Sequence, residues 1–193
     1  MNLKRLTKRQ EKNIMKALKT RGEFLGHGSS RAVFRLGEDY CVKIAKDEYG
    51  VTQNKLEVDM FRKNGRMYLA EIKAYSKFFV VMEFIEVIDR DDVDYYLEQY
   101  FYYEQELEDG EDVEWQEDMP INIVSEMSEV VEAMASMVGE TDDNTQLGFR
   151  ENTDVVVCYD YGYEPSNHNN SVSDLHYSFE NESKFLDLVL QKI

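Results

Sequence analysis

EFLGHGSSRAVFRL, from Glu23 to Leu36, is the stretch on which the fold turns. Two glycines one residue apart, Gly26 and Gly28, stand with two serines between short apolar runs, in a chain with only ten glycines. A tight hairpin needs such glycines for its backbone. A loop that covers phosphate needs them too, because backbone N–H groups then approach oxygen without a Cβ in the way. Val33, on the strand leaving the turn, has the size and position to roof a flat ring. The residues downstream choose between the two readings.

Downstream, Tyr40–Ala45 reads as a strand, with Lys43 in the middle of the apolar run VKIA. A lysine buried in such a strand needs a partner for its ammonium. A helix is expected over Thr52–Asn64, closed by Asn64-Gly65. It carries Glu57 beside Leu56 and Phe61, where an inward carboxylate would hold Lys43. Strands are expected at Tyr68–Tyr75 and Phe78–Ile85. Five strands with one helix inserted after the third form a unit over 23–87. Before it, Thr7 and Gln10 have capping-box spacing for a helix over 7–21 closed by Gly22, with Leu3, Leu6, Ile14 and Leu18 as its apolar stripe.

The character changes at Val87. A tyrosine-rich acidic helix is expected over 91–108. Ile123–Val138 repeats Val124, Met127, Val131, Met134 and Val138 at helical spacing. Short strands follow at Gln146–Phe149 and Val155–Tyr159, then a closing helix near 183–191. The domain reading is a basic helix over 1–22, the sheet unit over 23–87, and a mainly helical remainder over 88–193 with an acidic insertion at 104–118.

Charge bounds the function. The chain has 193 residues, 39 acidic and 22 basic, for a net charge of −17. Residues 1–21 alone carry eight basic side chains and one acidic. Such a surface disfavours nucleic acid, although an acidic protein that imitates DNA is a third reading. Cys41 and Cys158 lie in apolar strands as core thiols, and three scattered histidines have no ligand spacing. The longest apolar run, FFVVMEFIEVI, is too short and too charged to span a bilayer, and no secretory signal opens the chain. A cytoplasmic protein is expected.

Asp160-Tyr161-Gly162 follows the strand VVVCY, and an aspartate fixed at a strand end suits a magnesium ion. In this order, LGHGSSRAVF, VKIA, Glu57 and DYG resemble the glycine-rich loop, third-strand lysine, helix glutamate and metal motif of the protein kinase family. GSSRAV, the Gln53-Asn54 pair and DYG are similar to small kinase-like proteins of bacteriophages and bacteria. The resemblance covers residues 23–87 and 145–164. It implies an α+β fold with two lobes, a five-stranded antiparallel sheet plus one helix and a reduced helical lobe. It also implies ATP and Mg2+ as cofactors, bound between the lobes. Gly26, Gly28, Val33 and Lys43 would then hold the nucleotide, with Met82 as gatekeeper and the backbone of Glu83 and Ile85 on adenine. Asp160, with Gln146, would hold the metal. Asp142, eighteen residues before Asp160, would be the catalytic acid–base beside Lys43 and Glu57.

The sequence departs from the family at four places. Arg31 stands at the third loop glycine. His-Arg is missing before Asp142. Leu147 replaces the second metal ligand. No APE motif follows DYG. These departures favour a pseudokinase or regulatory binding module, with a self protein or, if the chain is phage-encoded, a host protein as its expected partner. An active Mg-ATP-dependent phosphotransferase and an acidic interaction protein are the alternatives.

Overall fold

The computed structural model describes residues 3–138, 145–161 and 182–192. The chain is α+β, as expected, and forms two compact units.

The first unit is built on a six-stranded sheet. Its strands are β1 (Lys4–Arg5), β2 (Glu23–His27), β3 (Arg31–Arg35), β4 (Tyr40–Ala45), β5 (Ile72–Tyr75) and β6 (Phe79–Glu83). Their spatial order is β1-β5-β6-β4-β3-β2. The five expected strands are antiparallel to their neighbours. The sixth, β1, is a two-residue addition that runs parallel to β5. Helix α1 (Lys8–Arg21) begins at a full capping box between Thr7 and Gln10 and ends at Gly22.

Strand alternation gives this sheet two faces. Ala32, Phe34, Val42, Ile44, Phe79 and Val81 form one, with Met15 and Leu18 of α1 in the same core. Helix α5 (Glu182–Lys192) completes that core. Its Phe185 lies parallel to Phe34 with ring centroids 6.4 Å apart, and Lys19 pairs with Asp187. Phe185, Leu186 and Val189 are buried, at about 1.5–3 kcal/mol each.

The other face carries Arg31, Val33, Cys41, Lys43, Val80 and Met82, which are paired in register across β3, β4 and β6. Helix α2 (Glu48–Asn64) supplies the buried Glu57 to this face. It starts four residues before the expected Thr52, because Asp47 caps it by accepting from the Gly50 N–H at 2.7 Å. Gly50 is a packing glycine: a Cβ there would lie 2.1 Å from the Ser30 carbonyl oxygen. Gly50→Ala is therefore expected to cost about 1–3 kcal/mol, despite alanine's better helix propensity. A urea melt reads this directly, and an unchanged midpoint would mean that Ser30 yields freely.

The second unit has the three-stranded sheet β7 (Ile85–Val87), β8 (Gln146–Arg150) and β9 (Val156–Asp160), in that order. Helices α3 (Arg90–Glu108) and α4 (Ile121–Val138) accompany it. Val124, Met127 and Met134 of the expected apolar stripe are buried in α4, as are Ile123 and Val130.

Two runs read as single strands each divide. In Tyr68–Tyr75, Leu69 bridges Cys158 in the second unit while β5 begins at Ile72 in the first. The break falls at Glu71, whose N–H donates to the Glu83 carboxylate at 2.7 Å. In Phe78–Ile85, β6 ends at Glu83 and β7 begins at Ile85. Between them the Phe84 N–H donates to the Asp39 carbonyl, and the Arg35 guanidinium sits 3.9 Å from the Phe84 ring centre.

Candidate functional site

Lys43 projects from the centre of β4, and Glu57 from the inner side of α2. Lys43 Nζ donates to Glu57 Oε1 at 2.6 Å, and both side chains are almost wholly buried. A buried lysine is tolerated when such a pair compensates its charge. Gly26 of β2, Val33 of β3, Lys43 of β4 and Val80 of β6 lie in one cross-strand row. The glycine turn, Val33 and Lys43 therefore share one part of the sheet.

The turn itself is a bulged hairpin. The β2–β3 register shifts between Phe24 and Gly26, and Gly26 has φ +153°, a conformation that side-chain-bearing residues rarely adopt. The far side of the turn is tied down. The Gly28 N–H donates to the Arg31 carbonyl at 3.0 Å, and the Lys46 N–H donates to the Ser30 carbonyl at 2.8 Å. Lys46 Nζ donates to the Gly28 carbonyl at 2.5 Å. Burial lowers the Lys46 pKa from its ordinary value, against the opposing pull of Asp47.

Sequence reasoning treated Arg31 only as a missing glycine. In the structure its Nη1 lies 2.9 Å from Glu57 Oε1, the same oxygen that Lys43 engages. Two buried cations thus meet one carboxylate oxygen. The signal was available: Arg31, Val33 and Arg35 alternate along β3, which puts Arg31 on the Lys43 face. Asn54, one turn before Glu57 on α2, is 1% exposed and was also missed. Its amide atoms and Glu57 Oε2 have no hydrogen-bond partner among the described residues. Such buried atoms are ordinarily bonded, so this is the polar centre of an otherwise apolar interior.

Met82 is buried in β6 opposite Cys41 of β4. Burial pushes the Cys41 thiol up to about 11, with Lys43 opposing and Glu57 and Glu83 adding. A raised folded-state pKa contributes stability below the unfolded value of 9.0, and that stability is lost as pH rises through about 11. Over that window the loss reaches about 2.7 kcal/mol at most. Cys41→Ala is expected to flatten this alkaline fall in denaturant melts at pH 9 and 11. Equal falls in both proteins would assign it to other groups. The Glu83 N–H donates to the Glu71 carbonyl at 2.9 Å, and its own carbonyl receives the Cys41 thiol at 3.7 Å. Ile85 opens β7 in the second unit, paired with Arg150.

In the second unit, Asp160 ends β9 and Gln146 begins β8, and the two are direct cross-strand partners. Both expected metal ligands thus lie side by side, one carboxylate and one amide. Leu147 is 1% exposed, so the position expected for a second metal ligand belongs to the core. A cavity of about 250 Å³ in this unit is lined in part by Ile88, Asp89, Arg90, Gln146 and Tyr159. Burial, and then the charge of Asp160, push the Tyr159 phenol up to about 12. Among the described residues no group of three or more His, Cys, Asp or Glu side chains is placed to hold a metal ion. A magnesium ion needs no such cluster, since one or two protein oxygens with waters and phosphate oxygens complete its shell. Asp142, and the Gly162 of DYG, lie outside the described residues.

No protein-family model and no curated protein sequence matches the chain. Among solved structures, it is similar to the aminoglycoside phosphotransferase APH(2")-IIa in ternary complex with streptomycin and ATP. The identity is 15% and the TM-score 0.42, over 84% of this chain and 71% of that one. The gentamicin complex of APH(2")-IIa gives 12% and 0.42, over 81% and 70%. ADP-bound APH(2'')-Ib gives 15% and 0.41, over 81% and 71%. TM-scores this low assign neither an activity nor a substrate. Among the described residues, no helix is long and apolar enough to cross a membrane.

Proposed function

We propose that the chain is a kinase-like nucleotide-binding module that takes ATP with magnesium and acts through a protein partner rather than by phosphate transfer. The observation that carries the reading is the buried Lys43–Glu57 pair on the sheet face that also bears the glycine turn and Val33. In this reading Lys43 grips the α and β phosphates as a point charge, held by Glu57. Gly26 and Gly28 give backbone access to phosphate oxygens. Val33 and Met82 flank adenine, and the backbone of Glu83 and Ile85 meets its edge. Asp160, assisted by Gln146, holds magnesium, which supplies charge neutralisation at the phosphates.

Two features favour binding over transfer. Leu147 is buried where a second metal ligand is expected, and Arg31 draws the loop's second strand onto Glu57. The alternative is an active phosphotransferase with Asp142 as the acid–base. Titration of ATP with and without magnesium, for wild type and Asp160→Asn, tests the reading. Magnesium is expected to tighten binding in wild type, and Asp160→Asn is expected to lose that gain while keeping metal-free binding. No binding in either condition refutes the reading. ATP turnover that falls in Asp142→Asn and not in Asp143→Asn would replace the module with the enzyme.

A further inference from the structure

Helix α3 is 19 residues long, and only Val93 among its side chains is buried. Tyr95, Phe101 and Tyr102 are 47%, 64% and 51% exposed. At about 100° per residue Tyr95 and Tyr102 fall on the side away from Val93, interleaved with Asp91, Glu98 and Glu106, while Phe101 lies on the flank of that face. Residues 89–118 contain fourteen acidic side chains and one arginine. Aromatic rings set among carboxylates suit a cationic partner, because the acids supply charge while the ring faces receive ammonium or guanidinium groups.

The chain carries such a surface itself. Lys8, Arg9, Lys12 and Lys16 are exposed along one side of α1. None of the four makes an ion pair among the described residues. Each exposed pair adds at most about 1 kcal/mol, so a usable contact needs several pairs and the ring contacts together. Both helices supply a row rather than a point. Long-range repulsion between two copies of net charge −17 is confined by salt to about 8 Å, so local complementarity governs close approach.

We propose that the aromatic, acidic face of α3 docks the basic face of α1 from a second copy of this chain. The inference stands apart from nucleotide binding, because neither surface uses Lys43, Glu57 or Asp160.

Sedimentation velocity over a concentration series of the full chain tests it. The variants are Lys12→Glu with Lys16→Glu, and Glu98→Lys with Glu106→Lys. All four positions are exposed, so folding should be unaffected within about 0.5 kcal/mol, which circular dichroism melts verify. Wild type is expected to self-associate, and each double reversal to weaken association about tenfold or more. A mixture of the two variants should recover it, since every docking pair in the mixed complex again joins opposite charges. A wild type that stays monomeric at every concentration overturns the proposal. So does association that ignores both reversals, or a binding partner found only in another basic protein.

Discussion

Glu57→Ala is expected to destabilise the first unit by about 3–5 kcal/mol, the cost of leaving a buried charge without its counterion. The loss should be heavy here because the carboxylate faces two cations, Lys43 at 2.6 Å and Arg31 at 2.9 Å. Lys43→Met should cost clearly less, since Arg31 still engages Glu57 Oε1 when the ammonium is gone. Arg31→Met should likewise leave Lys43 in place. The ordering, with Glu57→Ala well below both single-cation variants, separates a shared counterion from two independent contacts. Urea melts of the three variants measure it. A Glu57→Ala cost under about 1 kcal/mol would mean that water reaches the cations and that the carboxylate organises nothing.

The second large effect is functional. Lys43→Met is expected to abolish the response to nucleotide while leaving a folded protein. The thioether fills the stem's place in β4, and the ion pair that remains keeps α2 on the sheet. Asp160→Asn should be milder, because in the proposed site it would remove one metal oxygen and leave Lys43 for the phosphates.

Much of the first unit was legible because its signals are local. The Thr7–Gln10 box set the start of α1. VKIA marked a strand with a lysine at its middle that needs a partner, and the sheet sets Lys43 on one face and Val42 and Ile44 on the other. Glu57 was singled out as the inward partner that Lys43 needs and as the match to the family's helix glutamate, with an ordinary surface glutamate as the alternative; the structure buries it against Lys43. What was not legible depends on pairing between distant segments. Nothing within Glu48–Val51 announces a helix turn containing glycine; Gly50 is there because Ser30 lies against it. The division of Tyr68–Tyr75 at Glu71 follows from Glu83, twelve residues on. A closing helix was expected near 183–191, yet only the core shows that Phe185 packs against Phe34. Arg31 was hidden by the expectation of glycine, although its place in the β3 alternation pointed to Glu57.

In the proposed function Lys43 serves a bound nucleotide. The thermal midpoint of wild type and of Lys43→Met, each with and without Mg-ATP, tests it most directly. At a hundredfold excess over the dissociation constant, ligand adds about 2.7 kcal/mol to the folded state. For a chain of this size that is a rise of about 5–10 °C. That rise is expected in wild type, dependent on magnesium and missing from Lys43→Met. An unchanged midpoint in wild type, or an equal rise in both proteins, would contradict it.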